Sequence, residues 1–262
     1  MGRSLPRGGA RVKLPGMNTN RTVIVTGAAQ GIGNAIARGF AAEGATVVVA
    51  DRQGSAQAAA AIPGGIGHDT DVADTASVDA MAAAVLAQVG RIDVLVNNAG
   101  IFTALLPGPL EEIDPLAWRR VMAVNVDGIF HTARAVVPVM KRQGSGAILH
   151  IGSATAFKGN PLMLHYVTSK AAVLGLTRSM ARELGPHGIR VNNLAPGYTL
   201  SEGMLANDVQ LKRGRQKNID ERAVKRDMMP DDLVGAALFL CGSAAGFITG
   251  QTLVVDGGVF MH

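Results

Sequence analysis

The chain has 262 residues, 48% of them hydrophobic, with 25 Lys+Arg against 20 Asp+Glu and a net charge of +5. That length suits one large α/β domain, and no run approaches the ~18 consecutive apolar residues that read as a membrane span. Five basic residues (Arg3, Arg7, Arg11, Lys13 and Arg21) fall in the first 21 positions, where no acid stands, and the other 20 balance the 20 acids, so the basic charge belongs to a tail and a nucleic-acid partner loses its support.

The opening "MGRSLPRGGARVKLPGMNTN" (1–20) is rich in Gly, Pro and Arg and lacks the apolar core of a secretory signal. It reads as an unstructured extension, with Met17 as an alternative start. "TVIVTG" (22–27) then predicts a strand, "GIGNAIARGFAAEG" (31–44) a helix and "TVVVADR" (46–52) a second strand. A short Ala-rich helix near 55–61 and a weak strand near 65–69 follow. "TASVDAMAAAVLAQVG" (75–90) predicts a helix and "IDVLVNNAG" (92–100) a strand and turn. One long helix is expected over 115–142, then the strand "GAILHIGS" (146–153), a helix over 163–185 and the strand "IRVNNLAPG" (189–197). A charged stretch to about 229 reads as irregular. The helix "DDLVGAALFLCGS" and the strand "QTLVVDGG" close the chain.

The strands are near-continuous Val/Ile/Leu runs, the pattern of burial on both faces. Alternation of strand and helix predicts a parallel, doubly wound α/β sheet in a single domain. A lone cysteine, Cys241, in an apolar helical run reads as core, excludes an internal disulfide and suits a reducing, cytoplasmic setting. Six histidines show no metal-ligand spacing, and no metal is expected.

"TGAAQGIG" (26–33) follows a strand and opens a helix. Gly27 permits a tight turn, while Gly31 and Gly33 remove side chains where backbone must approach a pyrophosphate. The helix N-terminus then offers free N–H groups to phosphate. Asp51 stands 18 residues after Gly33 at the end of the second strand. A carboxylate there accepts hydrogen bonds from ribose hydroxyls and repels a 2′-phosphate, which points to NAD. Arg52 is the counter-signal. In "HYVTSK" (165–170), Tyr166 and Lys170 are i and i+4 on one predicted helix face. The ammonium is expected to lower the tyrosine pKa toward working pH.

The glycine loop, Asp51, "NNAG", "IGS" and "YVTSK", with 13 residues from Ser153 to Tyr166, together resemble the short-chain dehydrogenase/reductase family from about residue 21 to 258. The resemblance implies a Rossmann domain over 21–262 on a mostly seven-stranded parallel sheet. It implies that Tyr166 exchanges a proton with substrate oxygen, that Ser153 polarises the carbonyl, and that Lys170 also holds the nicotinamide ribose. Asn125 in "AVNVDG" matches the family asparagine that holds a water next to the lysine. For the cofactor it implies Gly27, Gln30, Gly31, Ile32 and Gly33 at the phosphates and Asp51 and Arg52 at the adenosine ribose. Asp71 and Val72 fall at the adenine, and Asn98, Ala99 and Gly100 beside the ribose, although Asn98 also reads as a brace of the central sheet. Pro196, Gly197 and Thr199 fall at the carboxamide, with Ser201 where many members carry threonine.

The reading is therefore an NAD-dependent oxidoreductase that interconverts a secondary alcohol and a ketone, with no nucleic-acid or membrane partner. Phe102, Leu105, Leu162 and Met163 are expected around the substrate and weigh against a sugar or polyol. An NADP-linked reductase of 3-oxoacyl thioesters is the alternative within the family, and a non-catalytic dinucleotide sensor or scaffold is the alternative outside it. The resemblance also implies a homotetramer, with the helices near 115–142 and 163–185 at one interface.

Overall fold

A computed structural model describes residues 20–261. The extension expected over 1–20 thus lies, but for Asn20, outside the described residues. Seven strands form one parallel sheet in the order β3-β2-β1-β4-β5-β6-β7. They are β1 Thr22–Thr26, β2 Thr46–Asp51, β3 Ile66–Asp69, β4 Val94–Asn97, β5 Gly146–Ile151, β6 Ile189–Pro196 and β7 Thr252–Val255. The strand order reverses between β1 and β4, paired with Ile24 opposite Leu95. That reversal opens a crevice at the carboxyl ends, where doubly wound sheets take ligands.

Side chains alternate along each strand, yet both faces are covered. Val23 and Val25 of β1, Val47 and Val49 of β2 and Leu149 of β5 pack on helices α1 (Gly31–Ala42) and α10 (Val234–Cys241), through Ile36, Phe40, Ala237 and Leu240. Ile24, Val48, Leu95 and Ile148 point the other way. They meet α3 (Thr75–Val89), α5 (Gly128–Gln143) and α7 (Leu164–Leu184), through Met81, Val85, Val136, Met140 and Leu184. Full burial of one such side chain stabilises by about 1.5–3 kcal/mol. Two apolar layers explain why the strands carry no polar alternation. Cys241 is buried in the first layer, and burial pushes its thiol up to about 12.

Local signals set the helix ends. Asp74 accepts the Ala76 amide at 3.0 Å to start α3, and Gly90 ends it at φ +74°. Asp114 accepts the Leu116 amide at 3.0 Å, with Pro115 first in α4 (Pro115–Met122). The single helix expected over 115–142 is not uniform: a π turn over Ala123–Asp127 separates α4 from α5. No sequence period marks such a turn.

Two expectations need correction in the later half. The stretch expected to be irregular contains α8 (Glu202–Leu205) and α9 (Asp208–Glu221). α9 has no apolar stripe to show a helical period; it is held by polar contacts, Arg215 to Asp227 at 2.6 Å among them. α2 (Ser55–Ala60) and α6 (Thr155–Lys158) are short connectors. Among the described residues no helix is long and apolar enough to cross a membrane.

Candidate active site

The crevice is a cavity of about 1070 Å³. Every expected site residue lines it except Gly33 and Asn125, which stand behind its wall. Gly27 and Gly31 adopt left-handed φ of +63° and +65°, a conformation natural to glycine. A Cβ on Gly33 would lie 2.4 Å from Asn98 Nδ2 and 2.4 Å from the Gly27 carbonyl, so only glycine fits there. Asn98 donates from Nδ2 to the Thr26 and Gly27 carbonyls at 3.0 and 2.8 Å, and Thr26 Oγ1 accepts the Asn98 and Ala99 amides, each at 3.1 Å. Asn98 is therefore a brace of the loop against β4, as the sequence allowed.

Asp51 closes β2 with its carboxylate fixed. Oδ2 accepts the Ala29 amide at 2.9 Å and Oδ1 the Arg52 amide at 2.7 Å. Each oxygen keeps lone-pair capacity toward the cleft. Asp71 Oδ1 accepts the Ala73 amide at 2.9 Å, and Val72 seats against Gly128, where a Cβ would come within 2.8 Å of Cγ2. Gly197 is pressed on Asp256, Thr199 donates to the Gly197 carbonyl at 3.0 Å, and Ser201 caps α8 by accepting the Met204 amide at 3.3 Å.

Ser153 follows β5, and Tyr166 and Lys170 sit one turn apart on α7. A hydrogen bond joins the Ser153 and Tyr166 side chains. The Tyr166 ring is stacked at a tilt on Phe102, centroids 4.6 Å apart. Lys170 Nζ donates to the Ile151 carbonyl at 2.7 Å and stands 5.9 Å from the Tyr166 ring centroid. Asn125 lies in the π turn, fully buried. Its Oδ1 accepts the Ile101 amide at 2.7 Å and its Nδ2 donates to Ser169 Oγ at 3.0 Å. Asn125 Oδ1 and Lys170 Nζ flank the same spot, 3.3 and 3.6 Å from where a Gly100 Cβ would be.

The electrostatics differ from the sequence expectation. Burial pushes the Tyr166 phenol up to about 12, with the Ser153 hydrogen bond pulling the other way. Burial also brings Lys170 down to about 8. An ammonium that is itself costly to bury is a weak lever on its neighbour, so desolvation outweighs the expected lowering. His150, on β5 near Lys170, is held at about 3 by burial first and by that ammonium second.

The substrate end is more mixed than expected. Phe102, Leu105 and Met163 line it, but Leu162 does not: it is 39% exposed, at φ +67°. The same cavity takes Lys158, Asn160, Lys217, Asn218 and Glu221, none of which the sequence reading assigned. The apolar argument against a polar substrate therefore weakens. His165 is buried on α7 and does not line the cavity.

A family model described as enoyl-(acyl carrier protein) reductase matches residues 27–260. The 3-oxoacyl-[acyl-carrier-protein] reductase FabG of Staphylococcus aureus is 38% identical over 253 residues, covering 94% of this chain and 100% of that protein. A 3-ketoacyl-(acyl-carrier-protein) reductase of Brucella melitensis, solved with NADH, superposes with a TM-score of 0.86 at 33% identity, over 93% of this chain and 99% of that one. The chain belongs to the short-chain dehydrogenase/reductase family. Within that family it is also similar to a gluconate 5-dehydrogenase of Burkholderia cenocepacia, solved with NADP and tartrate. The TM-score there is 0.84 at 36% identity, over 92% of this chain and 95% of that one. This short-chain dehydrogenase/reductase shares its seven-stranded parallel sheet and Rossmann-like layering with those structures. It is an oxidoreductase of the nicotinamide-dependent kind.

Proposed function

We propose that this enzyme interconverts a ketone and a secondary alcohol, with NAD(H) preferred. The observation that carries the reading is the joint placement of Ser153, Tyr166 and Lys170 at one end of the cleft and Asp51 at its other. The glycine cradle fits a dinucleotide, since a side chain at Gly33 would fill the close approach to Asn98. The Asp51 carboxylate would take the adenosine ribose hydroxyls, and its charge opposes a 2′-phosphate. Asp71 and Val72 would meet the adenine, Gly100 and Lys170 the two riboses, and Pro196 to Ser201 the carboxamide. The bound dinucleotide supplies or accepts the hydride.

The protein's own groups handle the proton. The Tyr166 hydroxyl, kept protonated by burial, donates to the ketone oxygen on reduction and must give up its proton before alcohol oxidation. Ser153 donates to the same oxygen and fixes its position. Lys170, tied to the Ile151 carbonyl, holds its ammonium on the helix face of Tyr166. Asn125 pins the π turn beside it. The tilted Phe102 ring keeps water off one side of the phenol.

Reduction of a 3-oxoacyl thioester is the second reading, favoured by the names of two similar proteins. It breaks and forms the same bonds. Arg52 beside Asp51 supports it in part, as a partner for NADPH. The deciding experiment follows NADH and NADPH oxidation against simple ketones, polyol-derived ketones and a 3-oxoacyl thioester. Preference for NADH with a free ketone supports the first reading; NADPH with the thioester supports the second. Tight NADH binding with no turnover on any substrate would make the protein a dinucleotide sensor and sink both. Cys241, single and buried, fits the cytoplasmic setting. Exposed Leu116, Phe130 and Leu164 on α4, α5 and α7 support the tetramer, which light scattering tests directly.

A further inference from the structure

The segment after β6 lays an acid on the phosphate loop. Ser201 starts α8, and Glu202 is its first residue. Glu202 Oε2 accepts the Gly31 amide at 2.9 Å, across 171 residues of sequence. Gly31 is the first residue of α1, so its N–H has no partner within the helix. The approach is close: a Cβ on Gly31 would sit 3.5 Å from Ser201 Cβ and 3.8 Å from Glu202 Oε2. Neighbours tether the same segment over the cleft. Asn207 Nδ2 donates to the Thr103 carbonyl at 2.6 Å, and a Cβ on Gly203 would lie 3.2 Å from Thr103 Oγ1.

We infer that Glu202 is an internal competitor of the cofactor's pyrophosphate and so sets dinucleotide affinity and release. The inference rests on the dinucleotide reading of the cleft. An N–H carries one hydrogen, and two anions brought to one helix N-terminus repel each other. The carboxylate therefore has to turn away when phosphate takes the loop. It returns when phosphate leaves, because the Asn207 and Gly203 contacts keep it within reach. A carboxylate that only capped the helix would leave binding unchanged or help it. A competitor weakens binding, and only for ligands that carry phosphate.

The test titrates wild type and Glu202→Gln with NADH, ADP-ribose and adenosine, and times NADH dissociation by stopped flow. The amide keeps the size and an acceptor but loses the charge. For an exposed charge at a helix N-terminus the expected effect is roughly two- to fivefold. The variant should bind NADH and ADP-ribose tighter by that factor and release NADH more slowly, with adenosine unchanged. Unaltered or weaker NADH affinity overturns the inference, as does an equal shift for adenosine, which would mark a packing effect. Both outcomes leave the dinucleotide reading standing. Failure of both proteins to bind NADH and ADP-ribose at all would remove that reading and the inference together.

Discussion

Lys158 and Glu221 meet across the mouth of the cleft, Nζ to Oε2 at 2.9 Å, joining the turn after Ser153 to the end of α9. The Lys158 ammonium holds the Glu221 carboxyl below its usual range through this hydrogen bond. Both side chains are about a third exposed (32% and 36%), so the pair adds at most about 1 kcal/mol to stability. Its effect belongs to the motion of the lid. Lys158→Met should move Tm by no more than about 4 °C yet remove most of the salt dependence of KM. A variant whose KM responds to salt as the wild type does would rule out that role.

Tyr166→Phe should lose nearly all turnover while NADH titration shows near wild-type affinity, because the phenol, not the ring, carries the proton. With the hydroxyl pushed up to about 12, its neutral form prevails at neutral pH. The phenolate fraction rises about tenfold per pH unit below that value. Initial rates should therefore climb with pH for alcohol oxidation and stay level for ketone reduction until alkaline pH. An oxidation rate indifferent to pH would contradict the assignment.

His150 gives a separate acid signature. Asn97 Nδ2 lies 3.2 Å from His150 Nδ1, and Nε2 is buried without a hydrogen-bond partner among the described residues. Its folded value of about 3 lies below the ordinary 6.5. The unfolded chain binds this proton and the folded one refuses it, so stability is complete above about pH 6.5 and drains as pH falls toward about 3. The slope for one such proton is at most about 1.4 kcal/mol per pH unit. Denaturant melts of His150→Asn should show a shallower decline over that window. Parallel curves would place the acid sensitivity elsewhere.

Gly33→Ala should push Asn98 off the Thr26 and Gly27 carbonyls, since the new methyl would lie 2.4 Å from its amide. Overpacking of this kind costs about 1–3 kcal/mol. Thermal unfolding should register the loss, and NADH affinity should fall about tenfold or more. Wild-type affinity in that variant would show that the loop tolerates displacement.

The strands were legible because β-branched runs bounded by glycine have few other solutions, and Asp51 because a strand end followed the glycine loop at the right distance. Tyr166, Lys170 and Ser153 were legible through spacing. Their proton affinities were not, since desolvation depends on what the fold brings around them. Glu202 and Lys158 were silent for another reason. Each acts on a partner far along the chain, Gly31 and Glu221, and neither sits in a periodic pattern. Helix α9 was missed because its sequence has no face to bury. Leu162 was placed in the pocket by adjacency to Met163, but at φ +67° it turns out to solvent.

The π turn at Ala123–Asp127 makes chain length a sensitive variable at that point of the molecule. It absorbs the extra backbone that lets α4 and α5 keep different phases. Deleting one residue there would favour a continuous α-helix and rotate all that follows by about 100°. Thr132 would swing off Asn97, now 2.6 Å from its hydroxyl, and His131 off the Val72 carbonyl, now 2.9 Å away. A missing residue at this vernier should do more harm than most substitutions on either helix.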